Sequence, residues 1–557
     1  MRLTAAVLAA VLLWYVATVP PRPDAASGTV PEDIRARTVA GAFHVHSSRS
    51  DGAGDRAVIA AAAARAGLTF VVLTDHGDAT RQPDPPAYID GVLCIDAVEV
   101  STNGGHLIAI DMPVAPYPLG GEAAAVVEDV QRLGGMPVVT HPDSAKTELA
   151  WKDWDAPVDG LEWMNLDSGW RDESSLRLAR VTLDSLVRPG PALTSMLDRP
   201  SPTLSRWDRL AATRDIVGLA GHDAHGGLSG RSEDGPQPGI PAFMSPGLAS
   251  YDTAFATFAS RVIVEGRLTG DAARDARQIL DAIRAGRLFT AVDAIAAPAW
   301  VDYRATLGAT EGGMGKTLTF GDGVALTFRS TMPPGARALL LRDGQEVAAS
   351  ATGELRFVAT RPGAYRVEVR APHWDVPWIV TNPIYLRRPG SVELADPLVS
   401  AGEMVFKPTG PGQVEKDPLS TASVTTGQGQ HVLEFQLRAG ERVSQYAALA
   451  MPLPQGLPQY DRIAFTGRSS APMRVSVQLR FESAGGARWR HSVYLSPEPR
   501  EVVMSVDRLL PADQPIVLPP TETATSLLFV VDLTNASPGT RGLFEISNLR
   551  LGSLPRR

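Results

Sequence analysis

Imidazole and carboxylate side chains are gathered in the first half of this chain. Seven of its ten histidines fall between His44 and His225, in clusters that also carry Asp or Glu and that each follow a short apolar run. Phe43-His44-Val45-His46 comes first, with Asp51-Gly52 beyond it. Side chains alternate across an extended strand, so His44 and His46 are expected to face the same way and to hold one cation together. The run Phe70-Val71-Val72-Leu73-Thr74-Asp75-His76 reads as a buried strand that delivers His76 where it stops. Asp96-Ala97-Val98-Glu99 is followed by Gly105-His106-Leu107-Ile108, and Met136-Pro137-Val138-Val139-Thr140 leads to His141. In the last cluster Ile216 to Gly221 leads to His222-Asp223-Ala224-His225, where Asp223 and His225 repeat the alternate-residue spacing. One histidine after an apolar strand is ordinarily a core or loop residue. Five such clusters in succession predict strand ends that converge on a polynuclear metal site.

Mixed imidazole and carboxylate without thiolate suits Zn, Mn or Fe alike. Two or three adjacent divalent cations lower the pKa of a bridging water and neutralise charge on an oxyanion or phosphoryl group, so hydrolysis is the expected reaction class. His222, beside Asp223, is the candidate acid or positioning group, although strand alternation turns it away from its neighbours. Arg49, Lys146 and Arg171 lie in loops next to the clusters and are candidates to meet an anionic substrate. Trp151, Trp154, Trp163 and Trp170 crowd the stretch after His141, where a pocket wall and core packing explain them almost equally well.

The order His-x-His, Asp-Gly, Thr-Asp-His, Glu, His, His-Pro and Asp-x-His resembles the polymerase and histidinol phosphatase (PHP) superfamily, over about residues 37 to 295. The resemblance implies a distorted seven-stranded (β/α) barrel with metals at the C-terminal ends of its strands, where functional groups of such barrels gather. It implies a first cation held by His44, His46, Glu99 and Asp223, and a second held by a bridging Glu99 with His106 and His141. A third would be held by Asp51, His76 and His225. The stretch between His141 and Asp223 shows no helical cap in its sequence and departs from the compact phosphatase pattern. Followed by a β segment ending in Trp378-Ile379-Val380-Thr381-Asn382-Pro383-Ile384-Tyr385, the chain looks like the carbaryl-hydrolase-like branch, whose members can cleave carbamate or carboxyl esters.

The elements that must position these groups alternate in the expected way. Helical patterns over 55–66, 122–133 and 272–285 each run into a glycine suited to a helix C-cap, and with the apolar runs they give a β/α order. A chain of 557 residues exceeds one hydrophobic core. The expected fold is therefore α/β plus all-β: a PHP-type barrel over 37–297, an immunoglobulin-like sandwich over 298–390 and a jelly-roll-like, carbohydrate-binding-type sandwich over 416–557. Ala338 to Val347 reads as a hairpin around Asp343-Gly344, and Tyr365 to Arg370 alternates as a strand. In the last domain Met473–Phe481 and Leu527–Leu533 read as strands, and Phe544 to Leu551 resembles a closing jelly-roll strand. Trp489 and Tyr494 are candidates for a sugar-stacking platform, with sandwich core as the commoner outcome. His373, His431 and His491 are scattered and read as non-ligands.

Met1-Arg2 precedes an apolar stretch from Leu3 to Val19 and then Pro20-Pro21, so residues 1–23 read as a secretory signal or an uncleaved membrane anchor. An exported, periplasmic or cell-surface location follows. Cys94, the only cysteine, lies in a strand-like run and reads as a buried small hydrophobe. With 53 basic against 61 acidic side chains and no basic block, nucleic acid is not an expected partner. The expected activity is an exported metal-dependent phosphoesterase of small molecules using a metal-bridged hydroxide. Carboxyl-ester or carbamate hydrolysis at the same site is the alternative, and a cell-envelope binding protein with an idle barrel is another. Polysaccharide contact through the C-terminal module completes the expected partners.

Overall fold

In the computed structural model, the structure describes residues 15–171, 173–227, 250–389, 404–406, 411–427, 429–453, 456–457, 460–481, 488–511 and 523–553. Most of the apolar N-terminal run, the proposed signal or anchor, lies outside them. Among the described residues no helix is long and apolar enough to cross a membrane. The chain divides into two compact units, Met1–Gly77 with Gln82–Pro113 and Val130–Glu393, and Asp78–Arg81 with Val114–Asp129 and Leu394–Arg557.

Two mixed sheets build the first half of unit one. Val217–Gly221, Gly160–Asn165, Met136–Val139, Gly105–Ile110 and Val98–Thr102 follow one another in a five-stranded sheet. In the other sheet, Ala259–Ile263, Thr38–Val45, Phe70–Leu73 and Val92–Asp96 are neighbours. Isolated parallel bridges between Val45 and Ala224 and between His76 and Glu99 link the two sheets. Phe43, Phe70, Val72 and Leu93 from one sheet and Ile108, Met136, Val138 and Leu219 from the other share one apolar core. Their burial is the main force holding the strand ends in position.

The expected helices form where the sequence caps them. Arg56–Arg65 starts at Asp55, whose side chain accepts from the Val58 amide, and Ala272–Arg284 starts at Asp271, which accepts from Arg274. Gly67, Gly134 and Gly286 all take the left-handed conformation that ends a helix. The interval in which no helical cap was expected holds four helices among the described residues: Ser168–Arg171, Ser175–Ser185, Pro189–Thr194 and Ser201–Thr213. The first two contain no proline, and the last two begin with proline in the first turn, where a missing amide costs nothing.

The boundary expected at 297/298 is not a break in the sheet. Leu288–Ala291 pairs antiparallel with Ile379–Thr381, so the Gly363–Arg370 and Arg337–Arg342 strands extend the same twelve-stranded sheet. A separate four-stranded sheet, Thr310–Gly313, Val301–Leu307, Ala325–Ser330 and Glu354–Val358, accompanies it. The Asp343-Gly344 hairpin forms with both residues at positive φ, as its turn type requires.

Unit two is a sandwich of two six-stranded sheets around a core that includes Leu449, Phe465, Val477, Phe529 and Phe544. It begins before residue 416, since Met404–Phe406 and Gln413–Lys416 already pair into the two sheets. Trp489 belongs to the core, edge-on to Phe481 at 4.8 Å, and not to an exposed platform. Segment Val114–Asp129 joins this unit through buried Arg474, which donates to Asp129 Oδ2 at 2.7 Å and Glu128 Oε2 at 2.6 Å.

Candidate metal centre

Glu99 is the hub of the site. Its Oε2 lies 3.2 Å from His44 Nε2, 3.2 Å from His46 Nε2 and 3.4 Å from His76 Nδ1, while Oε1 lies 3.2 Å from His106 Nδ1 and 3.0 Å from His141 Nε2. Asp223 Oδ1 stands 3.3 Å from both His44 Nε2 and His46 Nε2. Asp51 Oδ2 is 3.1 Å from His225 Nε2 and 3.6 Å from His76 Nε2. All nine residues expected as ligands are thus brought together from distant parts of the chain. Among the described residues, three groups have donor atoms close enough to share an ion: His44, His46 and Glu99; His76, Glu99 and His106; and His46, Asp51, His76 and His225. His46 and His76 therefore each join two groups, a sharing the sequence did not suggest.

The convergence does not arise from simple strand alternation. His44 has φ of 66° at a bulge between Ala42 and Val45, and His46 lies beyond the end of its strand. His141 and Asp223 also take positive φ, at 30° and 48°. Non-glycine residues held in this region carry strain that the surrounding packing must over-determine, and such residues cluster at functional sites. Glu99 and His106 are not at strand ends either. Each is the second residue of its strand, in the Val98–Thr102 and Gly105–Ile110 hairpin.

Donor chemistry and burial fit a cation. His44 and His46 approach at 3.0 Å between Nε2 atoms with both side chains buried, and their neighbours are carboxylates. His46 Nδ1 is buried without a hydrogen-bond partner, 3.4 Å from Asp51 Oδ1. Burial opposes charge on His44, but Asp223, Glu162 and Glu99 outweigh it and hold its imidazolium well above the ordinary histidine range. Burial likewise opposes the charged forms of His76 and His225, and nearby carboxylates raise both to about 9. Against its own burial, Glu99 is drawn well below the usual carboxylate range by His44 and His76. Negative charge compressed into this space attracts protons to the imidazoles, and divalent cations would replace them.

Further residues orient these groups, and the sequence reading did not single them out. Glu162, fully buried, accepts from His44 Nδ1 at 2.7 Å, from the His141 amide at 2.8 Å and from Asn165 Nδ2 at 2.8 Å. It sits mid-strand between Leu161 and Trp163, and a lone acid between large apolar neighbours was the only signal available. Asp75 accepts from the Ser47 amide and hydroxyl and from the Ser50 hydroxyl at 2.7–2.8 Å, which fixes the loop carrying Asp51. The Tyr251 hydroxyl donates to His46 O at 2.7 Å. Gly221 leaves room for Glu162, because a Cβ there would meet Oε1 at 1.8 Å.

His222 is not among the converging groups. Its Nδ1 and Nε2 lie 3.3 Å and 3.0 Å from the carbonyls of Phe43 and Phe258, and its ring stacks on Phe258 at 4.0 Å. Burial lowers its pKa to about 4, so it is a neutral core histidine. Arg49 is held by Asp84 and Asp96, the latter at 3.3 Å. Lys146 is half-buried on the loop after His141. The side chain of Arg171, like that of Trp170, lies outside the described residues. Trp151 and Trp163 are buried, their indole N–H groups donating to Asp153 O and Thr290 Oγ1. Trp154 stacks beneath Arg206.

No family model and no curated protein matches the chain. Among solved structures, a family 11 carbohydrate-binding module from Clostridium thermocellum in complex with a β-1,3-1,4-mixed-linked tetrasaccharide is 14% identical, over 28% of this chain and 96% of that one, with a TM-score of 0.22. A family 11 module of a cellulosomal cellulase of the same organism is 15% identical over the same shares, with a TM-score of 0.21. A structure of carbohydrate-binding modules of the β-sandwich superfamily is 12% identical over 45% of this chain and 98% of that one, with a TM-score of 0.20. At these identities and TM-scores the likeness carries neither a fold assignment nor a ligand for this chain.

Proposed function

We propose that the chain is a metal-dependent hydrolase that cleaves small-molecule phosphoesters. The single observation carrying this reading is that one buried carboxylate, Glu99, lies within 3.0–3.4 Å of five imidazoles while Asp223 stands 3.3 Å from two of them. His44, His46, Glu99 and Asp223 would hold a first cation, Glu99 with His106 and His141 a second, and Asp51 with His76 and His225 a third. Bound there, divalent cations supply Lewis acidity toward an oxyanion and make water a competent nucleophile near neutral pH.

The chain's own residues divide the remaining work. His44, His46 and Glu99 are shut away from solvent, whereas His76, His106, His225 and Asp51 keep part of their surface exposed, so a substrate approaches from their side. With cations bound, Glu162 would keep the one remaining His44 proton on Nδ1 and leave the Nε2 lone pair free for the metal. Asp75 and Tyr251 keep the loop from His46 to Asp51 in place. Lys146 and Arg171 are the basic groups left to meet an anionic substrate, since Arg49 already serves Asp84 and Asp96.

That engagement of Arg49 also favours a second reading, carboxyl-ester or carbamate hydrolysis, which needs no anion clamp. An aryl phosphate, an aryl phosphodiester and an aryl carboxylate ester offered to Mn- and Zn-loaded protein, with and without chelator, separate the two. Chelator-sensitive turnover of either phosphate supports the first reading. Turnover of only the carboxylate reverses the order, and retention on insoluble polysaccharide without any turnover favours a binding protein.

A further inference from the structure

We infer that the exposed apolar face of the helix Ser175–Ser185 and its continuation to Val187 rests on a lipid bilayer, at the level where the apolar N-terminal run leaves it. Leu176 and Leu183, seven residues apart on one helical face, are 86% and 54% exposed, and Leu186 and Val187 follow at 79% and 59%. The opposite face buries Val181 and Asp184. Single exposed leucines are ordinary on protein surfaces, but two on this helix and two more large aliphatic side chains just past its end make a surface with no partner among the described residues.

The position of this face decides its partner. The Tyr15 hydroxyl donates to Leu183 O at 3.1 Å, Arg180 lies over the Tyr15 ring at 4.9 Å, and Arg180 Nη2 donates to Thr18 Oγ1 at 2.9 Å. Val16 adds a further exposed aliphatic side chain. Asp24–Ala25 then pairs with Ala296–Ala297, which ties the segment to the fold. The end of the apolar run Leu3–Val19 is thus fastened against the helix that carries the exposed leucines.

Length points the same way. As a helix, the run would reach about 25 Å, short of the roughly 30 Å hydrocarbon thickness of a bilayer. Apolar side chains on the folded body beside its end extend the buried surface into the interface, where Tyr15 also belongs. The contact is apolar in character. Arg177 pairs with Glu173 at 3.3 Å and Arg180 with Asp184 at 2.9 Å, so this helix offers no uncompensated positive patch to anionic headgroups.

The test uses the full chain carrying Leu183→Cys or Leu186→Cys labelled with an environment-sensitive dye; Cys94 is buried and stays unlabelled. Vesicles of phosphatidylcholine, with or without phosphatidylglycerol, are added, and then the same lipids with brominated chains. The dye should shift to the blue on vesicle addition and be quenched by bromine equally in both lipid mixtures, while a dye at Val358→Cys stays unchanged. Replacing Leu176, Leu183, Leu186 and Val187 together by serine should weaken vesicle partitioning about tenfold and leave hydrolysis in solution unaltered. A dye at 183 that stays water-like on floated protein overturns the inference, as does failure to float. A dye already shielded before lipid is added also overturns it: concentration-independent shielding assigns the face to the chain's own first residues, and shielding lost on dilution assigns it to a second copy.

Discussion

Glu162 Oε1 lies 2.7 Å from His44 Nδ1, with both side chains fully buried. A carboxylate on Nδ1 makes that nitrogen the donor, so that a cation bound beside Glu99 and Asp223 would meet the Nε2 lone pair once the second proton has left. Glu162→Gln should therefore weaken metal binding by about 10–100-fold, as removal of an outer carboxylate typically does, with the chain still folded. Titration calorimetry with Zn or Mn on the metal-free variant reads this directly, and unchanged affinity would show that the carboxylate is structural only.

Gly221 is the space in which Glu162 sits. Gly221→Ala brings a methyl group to 1.8 Å from Oε1, so the carboxylate must leave His44 or the strand must shift. The expected cost is about 1–3 kcal/mol in thermal unfolding, with metal affinity falling alongside stability. A variant as stable and as tightly metal-binding as the parent would contradict this packing.

His222→Phe separates core packing from chemistry. His222 faces two carbonyls and Phe258, away from the converging imidazoles and carboxylates. The substitution should lower the unfolding free energy by an amount on the order of 1–3 kcal/mol, for the lost hydrogen bond and the carbonyl left without a donor, and leave kcat of the folded, metal-loaded protein within about twofold. A large loss of kcat at unchanged stability would return His222 to the catalytic machinery.

Acid stability depends on an ion cluster well inside the first unit. Arg366 is fully buried and donates to Asp208 at 2.7 Å and to Glu368 at 2.8 Å, and Arg199 donates to Glu368 at 2.8 Å. Burial raises the Glu368 pKa, yet Arg366 and Arg199 overcome it and hold the group at about 2, below its usual 4.5. A folded-state value below the unfolded one means that the stabilisation is fully present above 4.5 and is lost as pH falls toward 2. Its size is on the order of 3 kcal/mol. Denaturant unfolding between pH 6 and pH 2.5 should show this decline, and Glu368→Gln should flatten it from a lower starting stability. An equally steep decline in the variant would assign acid sensitivity elsewhere.

The converging imidazoles and carboxylates were legible because each cluster announces itself locally, with an apolar run before the histidine and a carboxylate nearby. Alternation correctly turned His222 away from Asp223 and His225, yet it gave the wrong reason for His44 and His46, since the bulge at Ala42–Val45 sets their convergence. A bulge leaves no mark in side-chain pattern. Glu162 escaped notice because a buried strand with one acid looks like any other strand until its partner, His44, is known. Strand pairing across the expected domain limits was hidden for a similar reason. The pairing of Leu288–Ala291 with Ile379–Thr381, and of Arg474 with Asp129, joins segments far apart in sequence, and no local pattern encodes a non-local contact.

Metal analysis of the purified full chain, beside Glu99→Gln, tests the central claim most directly. The geometry around Glu99 predicts about two or three equivalents of Zn, Mn or Fe, removed by chelator together with hydrolysis, and a loss of at least one equivalent in the folded variant. Folded parent protein that carries less than about one equivalent and takes up none from added Zn, Mn or Fe would contradict it.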